Sequence, residues 1–205
     1  MTNSKYGVVG AAGLALMLTV ASVSAQQPAP TRVRGTIEKV DGNTLQVKSR
    51  EGATVTVKLK DDAQVNGVEK AALSDIKQNS FVGITAMPQP DGSQKALEVH
   101  IFAESQRGTG EGHRPWDGAP NSTMTNGTAG SAVTGVDGST IAVKYKDGEK
   151  KIVVGPGVPI VRYEIGSLSE VKPGTAFTVV AATKKPDGSY EAGRINVGRD
   201  GVVPQ

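Results

Sequence analysis

Apolar residues recur at every second position through most of this chain, the period of a strand with one buried face. Residues 33–40 open the series, and Asp41-Gly42-Asn43 follow as a turn of the kind that closes a hairpin. Leu45 and Val47 then alternate with Gln46 and Lys48. Val55, Val57 and Leu59 alternate with Thr54, Thr56, Lys58 and Lys60. Residues 71–77 read as a short helical or turn segment. Val82, Ile84 and Ala86 give a fourth strand, Pro90-Asp91-Gly92 a turn, and Leu97, Val99 and Ile101 a fifth strand. Three strands, a short helical piece and two more strands is the order of the five-stranded OB-type barrel. A plain antiparallel sandwich is the other arrangement the pattern allows. A barrel has the advantage of leaving no open sheet edge.

The series then repeats. At an offset of 96 residues, Val40-Asp41-Gly42-Asn43-Thr44-Leu45-Gln46-Val47-Lys48 lies over Val136-Asp137-Gly138-Ser139-Thr140-Ile141-Ala142-Val143-Lys144. Phe81 lies over Phe177, Asp91-Gly92-Ser93 over Asp187-Gly188-Ser189, and Val99 and Ile101 over Ile195 and Val197. With one gap, Leu73-Ser74-Asp75-Ile76-Lys77 meets Leu168-Ser169-Glu170-Val171-Lys172. Agreement in order, spacing and type predicts an all-β chain of two tandem five-stranded OB-like modules related by internal duplication. The shared positions are turn residues and inward-facing apolar residues, which is what a fold needs. Any function is therefore expected in what differs between the copies or in what joins them.

The N-terminus breaks the alternation. Gly7–Val20 is an apolar run of about 14 residues, short of the ~20 a spanning helix needs. Val23-Ser24-Ala25 follows, in the small-x-small pattern a signal peptidase accepts. The expected organisation is a signal peptide over 1–25 and a mature N-terminal tail over 26–30. A first β module over 31–103, a joining segment over 104–128, a second module over 129–199 and a C-terminal tail over 200–205 complete it. Cleavage after Ala25 makes the expected location periplasmic or secreted, with no membrane span in the mature chain.

Composition narrows the picture. With 26 Gly, 11 Pro and 4% aromatic residues, short strands and turns are favoured over long helices. The chain has no cysteine, which excludes disulfides, thiolate metal sites and a Cys nucleophile. Net charge is +3, and Lys5 is the single charge before residue 26. The charges alternate in sign along the strands, a solvated surface and not a polybasic footprint for nucleic acid. The first module offers Phe81 and Phe102 as the aromatics on which bases could stack, so no nucleic-acid partner is expected.

Candidate chemistry concentrates in the joining segment, ESQRGTGEGHRPWDGAPNSTMTNGT, which holds the single Trp, Trp116, and one of two His, His113. Gly, Ser, Thr and Asn give it no helix or strand period, so it reads as a flexible linker or as an ordered segment between modules. Arg107, Glu111, His113, Trp116 and Asp117 are the candidate binding residues. On the fifth strand Glu98 and His100 share the face opposite Leu97, Val99 and Ile101. A carboxylate and an imidazole so placed could hold a cation, or simply face solvent. No G-x-S-x-G elbow or phosphate loop is present, and Asp61-Asp62, adjacent in a turn after a strand, do not face each other across a cleft. No enzyme activity and no cofactor are expected.

The run RGTGEGHRPWD, then NSTMTN, KYKDGEKKIVV and Pro159-Ile160-Val161, resembles an uncharacterised family of small exported proteobacterial proteins with OB-like domains of unknown function. Members sometimes carry an automatic label as metal transporter permeases. The resemblance implies compartment and fold, and supplies no functional residue. Taken together, a non-catalytic exported binding or adaptor protein is expected, its partner an envelope protein, a peptide or a glycan. The alternative is a soluble metal-binding accessory protein of the envelope, associated with a transport system.

Overall fold

The computed structural model describes Met1, residues 31–135 and residues 138–205. The expected signal peptide, its cleavage site and the tail 26–30 lie outside the described residues, as do Val136 and Asp137 of the repeat.

The described chain is all-β. Its strands are β1 (Thr31–Asp41), β2 (Thr44–Ser49), β3 (Thr54–Lys70), β4 (Phe81–Pro88), β5 (Gln94–Ile101), β6 (Gly112–Pro115), β7 (Thr123–Ala129), β8 (Val133–Gly135), β9 (Gly138–Tyr145), β10 (Gly148–Val154), β11 (Ile160–Ile165), β12 (Ala176–Lys184) and β13 (Tyr190–Gly198). The helical pieces among the described residues are 3-10 turns at Leu73–Asp75, Glu104–Gln106 and Leu168–Glu170. No helix among the described residues is long and apolar enough to cross a membrane.

Five strands close a barrel. β1 pairs with β2, β2 with β3, β3 in parallel with β13, β13 with β12, and β12 back with β1. The alternating residues of the sequence point inward: Leu45, Val47, Val57, Phe177, Ile195 and Val197 have no exposed surface. Each such side chain contributes roughly 1.5–3 kcal/mol by leaving water. A second ring of pairings runs β4–β5–β10–β9–β7 and back to β4. Its interior is Val82, Ile84, Val99, Ile141, Val143 and Ile152. Strands approach closely at glycines in both rings. A Cβ on Gly35 would stand 1.9 Å from the Lys48 carbonyl oxygen, and one on Gly127 2.2 Å from that of Lys144.

Each ring draws on both halves of the chain. The first takes β1–β3 from the N-terminal half and β12–β13 from the C-terminal half, and the second takes β4–β5 and then β7, β9 and β10. The pairings therefore cross the boundaries drawn from the sequence at 103/104 and 128/129. The cause is β3, which is 17 residues long. It leaves the first ring and pairs antiparallel with β11, from Val161↔Lys70 to Ile165↔Asn66. The β4–β5 hairpin that follows is thus delivered to the far ring. Register is the same on both sides of this crossing. Val57↔Tyr190, Val65↔Ile195 and Asn66↔Asn196 in the first ring correspond, 95 residues along one strand and 96 along the other, to Ile152↔Gln94, Ile160↔Val99 and Val161↔His100.

Four expectations change in detail. Asp61 and Asp62 lie within β3, not in a turn, where its register to β13 is interrupted. Leu97 is 38% exposed while Ala96 is buried, because a bulge between the Thr85↔Glu98 and Ala86↔Ala96 pairs shifts the alternation by one residue. Segment 104–128 has strand structure: β6 and β7 form a hairpin, and β7 continues into the second ring. Residues 200–205 are packed on the fold, with Val202 buried against Val68, Val161 and Tyr163, and Thr178 Oγ1 donating to the Pro204 carbonyl at 2.7 Å.

Candidate functional site

A cleft of about 420 Å³ opens where the two rings meet. One wall comes from β3 and β13 through Gln64, Asn66, Arg194 and Asn196. The other comes from β5, β11 and the β6–β7 hairpin through His100, Phe102, Tyr163, Trp116, Met124 and Asn126. Asn66, His100, Asn126 and Asn196 are all buried. Strand periodicity puts them there. In β3, β5 and β13 the residues beside the core-facing Val65, Val99 and Ile195 point the other way, into the cleft.

The floor is aromatic. Phe102 and Tyr163 stack at 5.4 Å with 28° between their planes, and His100 meets Tyr163 at 5.3 Å and Phe102 edge-on at 6.4 Å. Burial, reinforced by the Glu98 charge, pushes the Tyr163 phenol above its ordinary pKa, so the ring stays neutral. His100 Nε2 lies 3.0 Å from Glu98 Oε1. His100 is buried at 4% exposure, so the face it shares with Glu98 is not an open solvent face.

The hairpin loop forms the roof. The Trp116 amide donates to the Ser122 carbonyl at 2.8 Å, and Ser122 Oγ donates to the Trp116 carbonyl and accepts from the Ala119 amide. These bonds pin the loop. The Arg32 guanidinium lies 3.7 Å over the indole centroid and that of Arg114 5.3 Å from it. Asp117 accepts hydrogen bonds from both Arg32 and Arg34, tying the loop to β1. Burial first, then the neighbouring Arg34 and Arg114 charges, lowers the Arg32 pKa to about 10. Burial also lowers that of Arg114.

Two atoms of the lining residues are buried without a hydrogen-bond partner: Trp116 Nε1, a donor, and Asn126 Oδ1, an acceptor. An orphan of this kind costs roughly 1–3 kcal/mol. Natural folds carry few, so each one asks for a reason. Around them the amides are spent on one another. Asn66 donates to Asn196 Oδ1 at 2.8 Å and accepts from Gln106 at 2.9 Å, and Asn126 Nδ2 donates to the Thr109 carbonyl at 2.9 Å.

The sequence candidates divide. Trp116 and His100 line the cleft, and Asp117 anchors its roof. Arg107 is an outside staple: it pairs with Glu104 at 2.5 Å and donates to the Asn79 carbonyl at 2.8 Å. His113 hydrogen-bonds Thr125 Oγ1 at 2.8 Å and stacks on Tyr145, away from the cleft, and Glu111 is exposed. Among the described residues, no three His, Asp or Glu side chains gather where a metal ion could be held. Sequence reasoning missed Asn66, Asn126, Asn196 and Tyr163. The one available signal was an Asn set among apolar strand residues at Asn66 and Asn196, where each breaks the apolar run. Comparison with protein-family models, curated proteins and solved structures gives no match.

Proposed function

We propose that the protein is an exported, non-catalytic binding protein of the periplasm or cell exterior, and that its ligand occupies the cleft between the rings. The observation that carries this reading is the pair of orphaned atoms, Trp116 Nε1 and Asn126 Oδ1, on two residues that line a roofed cleft with an aromatic floor. A mostly apolar cavity with a few convergent polar groups is the usual form of a small-molecule site. Export rests on the N-terminal pattern of the sequence and on the resemblance to exported OB-like proteins. The OB-like reading is supported by the order of the first ring, β1-β2-β3 followed by a parallel partner and then its hairpin neighbour. Duplication is supported by the shared register of the two rings.

Trp116 is the single Trp, so its emission reports the cleft directly. The low-molecular-mass fraction of an envelope extract should shift that emission saturably, and the bound component should come off the protein with its mass unchanged. A component released cleaved or modified would show an enzyme instead. A metal-binding accessory role has one observation in its favour, the pairing of the buried His100 with the part-buried Glu98.

A further inference from the structure

We infer that the ligand is a glycan unit carrying a carboxylate; this deepens the binding-protein reading above and rests on it. The orphaned pair indicates the functional group. Trp116 Nε1 needs an acceptor and Asn126 Oδ1 needs a donor. A hydroxyl is both in one atom, and neighbouring hydroxyls on a ring supply several at fixed spacing. Phe102, part-exposed in the cleft lining and backed by Tyr163, offers an apolar ring to the C–H side of such a sugar ring.

Charge indicates the carboxylate. Arg114 and Arg194 line the cleft, and no Asp or Glu among the described residues does. Arg114 donates to the Gly110 carbonyl at 2.6 Å, and Arg194 to Gln64 Oε1 at 2.9 Å. Neither bond supplies a counter-charge. A planar guanidinium binds a carboxylate through two parallel hydrogen bonds, the stronger kind.

Topology weighs against a peptide strand. An extended peptide binds by adding to a free sheet edge. Of the strands at the cleft, β3 lies between β2 or β11 and β13, β5 between β4 and β10 or β11, β11 between β3 and β5, and β13 between β12 and β3; the outer strand β6, paired with β7 alone, is four residues long and ends in Pro115, which has no N–H to give a ladder. Along the doubly paired strands side chains alone must do the reading.

The test titrates the full mature chain at physiological salt with tetragalacturonate, maltotetraose and tetraglutamate, following Trp116 emission. Tetragalacturonate should bind at least ~10-fold tighter than either of the others, the scale of one charge-assisted bidentate contact. Arg114→Gln and, at the exposed mouth, Arg194→Gln should each weaken it by about 10-fold while holding maltotetraose within about 2-fold. An unchanged melting temperature in the Arg194 variant separates this from misfolding. Maltotetraose binding as tightly as tetragalacturonate overturns the carboxylate, and tetraglutamate doing so overturns the sugar. If none of the three binds while the envelope fraction still shifts the emission, the glycan assignment falls and the binding reading stands. If the envelope fraction is also silent, both fall.

Discussion

In the first ring one uninterrupted strand, β3, runs from the barrel wall to the pairing with β11. In the second the corresponding path is split into β10 and β11 by Gly155-Pro156-Gly157-Val158-Pro159. The number of residues between corresponding pairs is unchanged, so the wall survives the break because register is fixed at its two ends. A second contrast lies in the side chains. At core positions the two sides keep their type: Val57 and Ile152, Val65 and Ile160, Ile195 and Val99. Beside the cleft they part, Asn66 against Val161, Asn196 against His100, Val68 against Tyr163, Gly198 against Phe102. The result is an amide wall on one side and an aromatic floor on the other. Equivalent backbones thus give a non-equivalent site.

The comparison is tested most severely at the two glycines. Gly35→Val and Gly127→Val each drive a side chain into a backbone carbonyl, and each should cost about 3 kcal/mol or more in urea unfolding. Tolerance of one and not the other would break the equivalence of the rings. Exchanging the interruption sharpens it next. Gln64→Pro removes a donor from the β3–β13 ladder and should cost about 2–3 kcal/mol. The reverse change, Pro159→Gln, falls where the chain is already out of strand and should cost less than about 1 kcal/mol.

The smallest effect concerns the β6–β7 hairpin, which belongs to the second ring alone. Burial first, then the Lys150 charge, holds the His113 pKa below its ordinary value. The unfolded chain therefore binds the proton more readily. Stability is complete above an unfolded pKa of about 6.5 and declines as the pH drops through it towards the folded value. With the ring only part-buried, the loss should stay below about 1 kcal/mol. His113→Gln should flatten the urea midpoint between about pH 7 and pH 5. An identical pH slope in the variant would remove His113 from the account.

Much of the fold was legible because it rests on local pattern. Leu45/Val47 and Val82/Ile84/Ala86 fall inside as their alternation predicts, and the Gly42-Asn43 turn closes β1 on β2. What was not legible depends on pairing at long range. Nothing in Lys60-Asp61-Asp62-Ala63-Gln64 signals that a strand continues through two carboxylates, so the crossing of β3 into the other ring was hidden. The β6–β7 hairpin was hidden for another reason. Thr125, Asn126 and Gly127 are buried by the strands over them, against their own propensity. Of the site, Trp116 could be singled out by rarity. Asn66 and Asn196 face each other only because the halves are paired in parallel, which no single stretch encodes.

That exchange of hairpins has a consequence for the order in which the molecule can be made. The first ring needs residues 176–198 beside residues 31–70, and the second needs β4 and β5 to wait for β9 and β10. A chain emerging from its N-terminus onward has the strands of the second ring complete at Val154, but it cannot close the first ring until β12 and β13 are out. Its first three strands must stay available, apolar faces unburied, throughout that interval, and the β4–β5 hairpin until β10 is out. High sequence separation of contacts slows folding, and waiting hairpins are prone to mispairing. The lysines and aspartates flanking β2 and β3, with the prolines of the β10–β11 break, fit the role of gatekeepers that keep an unfinished sheet from recruiting a neighbour.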